Sequence, residues 1–177
     1  MRVRLASAAA AVLLSAALPA SAVTTIFFTG LTNAGEPVPT STATGAAIVT
    51  FDDAAFTVTV QISFQGLANA SPFGHIHCCT ATPLTGSSGV ALNFTSFPAV
   101  ATGFYNSGFT LAPAAFSSLL AGTSAGRAYV NIHTPGLYAG GEIRGFLAPI
   151  PEPGTYALML AGLGAVGWAA RRRRAAA

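Results

Sequence analysis

Between Phe56 and Phe64 the chain alternates without a break, with Phe56, Val58, Val60, Ile62 and Phe64 on one side and Thr57, Thr59, Gln61 and Ser63 on the other. A period of two built from β-branched and aromatic residues fits a pleated strand with one buried face; a helix of period 3.6 would scatter the same apolar positions around its axis. The apolar run Ala46 to Phe51 precedes this stretch, and Asp52-Asp53 between the two is turn chemistry, so residues 45–65 are expected to form a hairpin. Further strands are expected at Thr25–Thr29, Phe73–Cys78, Val90–Phe94, Arg127–His133 and Glu142–Ala148. Only Pro113–Leu120 reads as a helix, with proline early and Gly122 beyond its end. Short strands at near-regular spacing predict an all-β fold, a single antiparallel β-sandwich occupying residues 23–150.

Charge separates this body from two unlike ends. Only 7% of the 177 residues are charged and none is lysine. The arginines that make the formal charge +3 stand mostly at Arg2, Arg4 and Arg171–Arg174. The body keeps Arg127 and Arg144 against Glu36, Asp52, Asp53 and Glu142, a net of −2. It therefore has no basic surface to neutralise phosphates, and nucleic acid is excluded as a partner.

Residues 1–22 read as a signal peptide. Arg2 and Arg4 precede an apolar run from Leu5 to Leu18, and Ala20 and Ala22 place small residues where signal peptidase cuts, after Ala22. The run is too short to be kept as a spanning helix. At the other end, residues 151–177 begin with Pro151, Glu152 and Pro153, an exposed and extended peptide by proline geometry. An apolar segment over 155–170 and four arginines follow. As a helix those 16 residues reach about 24 Å against a hydrocarbon core of about 30 Å, so a short, marginal C-terminal membrane helix is expected, with the arginines on the cytoplasmic side. This three-part order resembles the PEP-CTERM sorting signal of exopolysaccharide-producing Gram-negative bacteria. The resemblance implies recognition and cleavage by an exosortase, transient anchoring in the inner membrane, and a final place in the cell envelope or outside the cell.

Three segments carry the body's identity: Gly74-His75-Ile76-His77, then Tyr129-Val130-Asn131-Ile132-His133-Thr134, then Gly141-Glu142-Ile143-Arg144-Gly145. In this order they resemble the chordin-type (CHRD) domain, in which a His-Ile-His strand precedes a Tyr-Val-Asn-Val-His-Thr strand and a Gly-Glu-Ile-Arg-Gly strand. The chain departs from that pattern at Cys78-Cys79, where a small or polar residue is usual, and at Ala139 and Phe146, which stand for proline and glutamine. The resemblance implies a β-sandwich in an extracellular setting and no common activity.

Strand geometry assigns faces to these residues. His75 and His77 point one way with Ile76 opposite, and Tyr129, Asn131 and His133 share a face opposite Ala128, Val130 and Ile132. With the aliphatic residues toward the core, the histidines face outward or into a second, polar layer. If the two strands are neighbours, His75, His77 and His133 converge as the ligand set of an open copper or zinc site. The alternative is a hydrogen-bonding layer in which backbone carbonyls or Glu142 satisfy the imidazoles. Glu142 and Arg144, two apart, are read as a structural ion pair orienting the last strand. Cys78 and Cys79 are the only cysteines. They form either a disulfide between neighbours or free thiols beside two histidines, which would add sulfur ligands for copper(I), with Cys79 on the histidine face.

Nothing in the sequence nominates a catalytic base. There is no Gly-x-Ser-x-Gly elbow and no phosphate-cradling loop, and the one carboxylate pair sits in a turn. Two functions are expected in that order: a non-catalytic envelope or extracellular-matrix module binding an exopolysaccharide or a protein, and a histidine-ligated copper or zinc protein, either carrier or redox enzyme.

Overall fold

The computed structural model describes residues 23–70, 72–150 and 153–175. The signal-peptide positions Ala20 and Ala22, together with Pro151 and Glu152 of the sorting signal, lie outside them. Among the described residues, nine strands and two helices run in the order β1 (Thr24–Leu31), β2 (Thr44–Asp52), β3 (Thr57–Gln65), β4 (Phe73–His77), β5 (Val90–Asn93), β6 (Gly103–Thr110), α1 (Pro113–Ser124), β7 (Tyr129–Thr134), β8 (Tyr138–Phe146), β9 (Ala148–Pro149) and α2 (Pro153–Ala175). The strands form two antiparallel sheets, one ordered β6-β3-β2-β1-β9 and the other β5-β4-β7-β8.

The alternation in β3 does what its period demands. Val58, Val60, Ile62 and Phe64 are buried, and they share one core with Phe27, Val49 and Phe51 from the same sheet and Ile76, Val130, Ile132 and Ile143 from the other. Phe56, expected as the first residue of that face, instead closes the turn. Its φ is +51°, it is 37% exposed, and its ring meets Phe116 of α1 edge-on. The turn is fixed by Asp52, whose Oδ1 accepts the Ala54 and Ala55 amides at 3.0 and 3.1 Å.

Several elements differ from expectation, and β6 (Gly103–Thr110) is a strand the sequence pattern did not announce. The helix α1 continues through Gly122 to Ser124, and the left-handed glycine that follows it is Gly126 (φ +67°). Gly122 lies inside because the helix rests there on the Cys78–Cys79 disulfide, whose two sulfurs occupy the space a Cβ would fill. Strand β6 carries two glycines and no aliphatic alternation, yet it pairs with β3 along its whole length. At the C-terminus, Pro153 opens α2 and the helix runs through the apolar segment into the arginines. Among the described residues no helix is long and apolar enough to cross a membrane. Leu158, Met159, Leu160, Leu163, Val166 and Trp168 on α2 are exposed.

Candidate metal centre

The second sheet has two chemically opposite faces. Strands β4 and β7 lie side by side at its centre, with His75 opposite Asn131, His77 opposite Tyr129 and Phe73 opposite His133. Ile76, Val130 and Ile132 point into the core and are fully buried. On the other face His77, Tyr129, Asn131 and His133 are also buried, each less than 10% exposed. This is the second, polar layer. Its cover includes the loop at 33–37, from which Glu36 reaches Arg144, and the loop at 86–88, which Arg144 and His77 touch.

Period two brings the three imidazoles together. His75, His77 and His133 each offer one ring nitrogen, and these nitrogens all lie within 4.8 Å of one another. His77 Nδ1 is 2.9 Å from the Ser88 carbonyl oxygen and His133 Nδ1 is 3.0 Å from that of Ala139. A carbonyl only accepts, so each Nδ1 carries the proton and each Nε2 keeps a free lone pair. Those two Nε2 atoms and His75 Nδ1 are buried and have no hydrogen-bond partner. Aromatic rings hold the imidazoles in place: Tyr129 stacks on His77 at 4.8 Å and 2°, and Phe73 stacks on His133 at 5.0 Å and 3°.

Burial also keeps the triad neutral. It pushes the pKa of His75 down to about 4, helped by the proximity of His133 and His77. Burial likewise lowers His77 and His133, although the carbonyl hydrogen bonds pull the other way. Three neutral imidazoles with converging ring nitrogens form a donor set for a borderline metal ion such as zinc(II) or copper(II). Tetrahedral metal–nitrogen bonds of about 2.0 Å place ligand nitrogens about 3.3 Å apart, so closing on an ion asks the rings to draw together by up to about 1.5 Å, shared between them.

The remaining expected residues stand elsewhere. Cys78 and Cys79 are joined by a disulfide and lie against α1, so neither adds a thiolate to the histidines. Strand β4 ends at His77, and the chain leaves it with the Cys78 amide bonded to Gly89 and that of Thr80 to Arg127, which takes Cys79 away from the histidine face. Glu142 and Arg144 do not pair with each other. The Glu142 side chain is fully buried and accepts from Ser41 Oγ (2.7 Å), Thr134 Oγ1 (2.5 Å) and the Ala68 amide (2.9 Å). Arg144 instead meets Glu36 at 3.6 Å, donates to the carbonyls of Gly35 and Gly86 and to Ser87 Oγ, and covers the Tyr129 ring. The physical reason is the register shift between Ile132 and Thr134, where the single β7 residue His133 stands against residues 139–142 of β8, which breaks simple alternation along β8 just before Ile143.

Glu36 was not legible as a site residue. It sits in an aperiodic loop, and its only signal was that of an isolated acid in an uncharged stretch. In the fold its carboxylate fills the space left by the missing side chain of Gly141 (φ +133°), and burial raises its pKa to about 7 against the opposing pull of Arg144.

With the strand motifs and their geometry in place, comparison with known families decides the relationship. The CHRD domain family matches residues 27–147, most of the chain and all three histidine-bearing and glutamate-bearing motifs. The chain belongs to the CHRD family. Its CHRD domain is followed directly by a second match, to the PEP-CTERM protein-sorting motif, over residues 149–174. No curated protein and no solved structure matches the chain. The family match thus covers most of the two-sheet body, and the sorting motif runs from the last residue of β9 through α2 to residue 174. Together they support an exosortase-sorted protein of the cell envelope or extracellular space.

Proposed function

We propose that this CHRD protein is an exported, non-catalytic module of the bacterial envelope or extracellular matrix that holds a zinc or copper ion through His75, His77 and His133. The observation that carries the metal reading is the set of three buried, unpartnered imidazole nitrogens, two of them oriented by Nδ1–H bonds to backbone carbonyls. A purely structural layer would leave the triad's nitrogens bonded, since buried polar atoms are normally paired. A carbonyl behind an imidazole, as behind His77 and His133, is also the arrangement that fixes metal-ligating histidines elsewhere. At such a centre the ion would supply Lewis acidity and, for copper, one-electron chemistry; the chain would hold the imidazoles neutral and aligned.

The ends belong to the same reading. Signal peptidase removes residues 1–22 and α2 engages the inner membrane until an exosortase cuts at the Pro151-Glu152-Pro153 stretch, which leaves the domain outside. An exopolysaccharide or an extracellular protein is then the partner expected for the domain's surface.

Metal analysis tests the centre. The protein purified without chelators is expected to bind one equivalent of zinc(II) or copper(II) at neutral pH and to melt at a higher temperature with metal, by mass action on the folded state. His133→Ala should abolish both effects. A wild-type protein that takes up neither ion would overturn the metal reading and leave the binding module without a metal.

A further inference from the structure

Above the polar face of the second sheet lies a cavity of about 300 Å³, lined among others by Gly35, Glu36, His77, Ser88, Asn131 and Arg144. Four buried atoms of its lining residues take part in no hydrogen bond: Glu36 Oε1, His77 Nε2, Ser88 Oγ and Asn131 Oδ1. The metal reading accounts for His77 Nε2 and for none of the other three. Glu36 and Asn131 are 7% and 3% exposed, and the Arg144 Nε that approaches Glu36 Oε1 stands 3.6 Å away, outside hydrogen-bond distance. Buried groups of this kind need a partner.

The cavity asks for donors. Glu36 Oε1 and Asn131 Oδ1 accept and the Ser88 hydroxyl serves either way, whereas Arg144 has committed donors to Gly35, Gly86 and Ser87. An anion brings no donors, and a cation would sit beside the Arg144 guanidinium. A neutral polyhydroxyl molecule brings several O–H donors on adjacent carbons. The volume is at the small end of the range for ligand pockets and suits one sugar ring. We propose that this cavity binds a single residue of a neutral sugar whose hydroxyls donate to Glu36 Oε1 and Asn131 Oδ1.

This goes beyond the metal reading and does not depend on it, so the test uses the full chain stripped of metal with a chelator. Saturation-transfer NMR with glucose, galactose and mannose is expected to show transfer to at least one of them, and none to its fully O-methylated form, which has lost the donors. Asn131→Leu should weaken binding at least tenfold, while Asn131→Asp, which keeps the acceptor, should stay within about threefold; a circular dichroism spectrum like that of the wild type confirms that each variant is folded. A tetrasaccharide of the same sugar that binds at least as well assigns the site to the end of a polysaccharide, and one that binds worse assigns it to the free sugar. No transfer to any sugar, equal transfer to the methylated control, or preference for acetate or ethylammonium would overturn the proposal and leave a cavity filled by water or by a ligand of other chemistry.

Discussion

At the residue scale, the polar layer holds titrating groups of opposite sign. Burial lowers the pKa of His75 from 6.5 to about 4, so between those values the unfolded chain binds more protons than the folded one. The metal-free protein should lose stability as pH falls from about 6.5 to about 4. Glu36 does the reverse: with its pKa raised from 4.5 to about 7, the folded state holds the extra proton, and its contribution is fully present below 4.5 and lost as pH rises to 7. Urea titrations in chelator across pH 4–8 should therefore show Glu36→Gln steepening the acid loss and His75→Gln flattening it. Gly141 is the second test at this scale. Its φ of +133° suits glycine alone, and any Cβ there meets the Glu36 carboxylate, so Gly141→Ala is expected to cost about 1–3 kcal/mol in the same titrations. The histidines were readable because strand period placed them on one face. Glu36 and Ser88 were not, because loops carry no period and their neighbours come from distant sequence.

Elements were legible in proportion to their alternation. The hairpin of β2 and β3 declared itself through Val58, Val60 and Ile62, whereas β6 did not: its pattern is glycine, aromatic and polar, and its identity as a strand comes from pairing with β3. Ile62 lies fully buried on β3 between β2 and β6, with Ala47 and Tyr105 opposite it. Ile62→Ala should cost about 2–5 kcal/mol of stability by denaturant unfolding, since the gap it leaves is bounded on both sides by paired backbone. The closing residue of α1 was misplaced for a related reason. Gly122 looks like a helix stop in sequence, but its smallness serves packing against the disulfide. Gly122→Val should destabilise the domain, seen as a lower melting temperature, and tris(2-carboxyethyl)phosphine should reduce the cysteines faster in that variant because the covering helix is displaced.

On the scale of the whole molecule, charge and address are separated from fold. The body carries a net of −2 and the basic residues crowd the ends, so the proposed removal of both ends would change the protein's electrostatic character more than its architecture. Secreted material is expected to begin at Val23 and to lack Arg171–Arg174, and intact-mass measurement checks both; a mature chain that retains the arginine tail contradicts exosortase cleavage. The central pair of strands also ties two properties together. In β4 and β7, isoleucine and valine alternate with the histidines, so a slip of one residue would drive imidazoles into the core and turn aliphatic side chains toward the polar loops in the same stroke. Fold and proposed metal site therefore share one failure mode. A chain whose three histidines meet has already passed its register check, and the triad serves as a built-in witness that the sheet was assembled correctly.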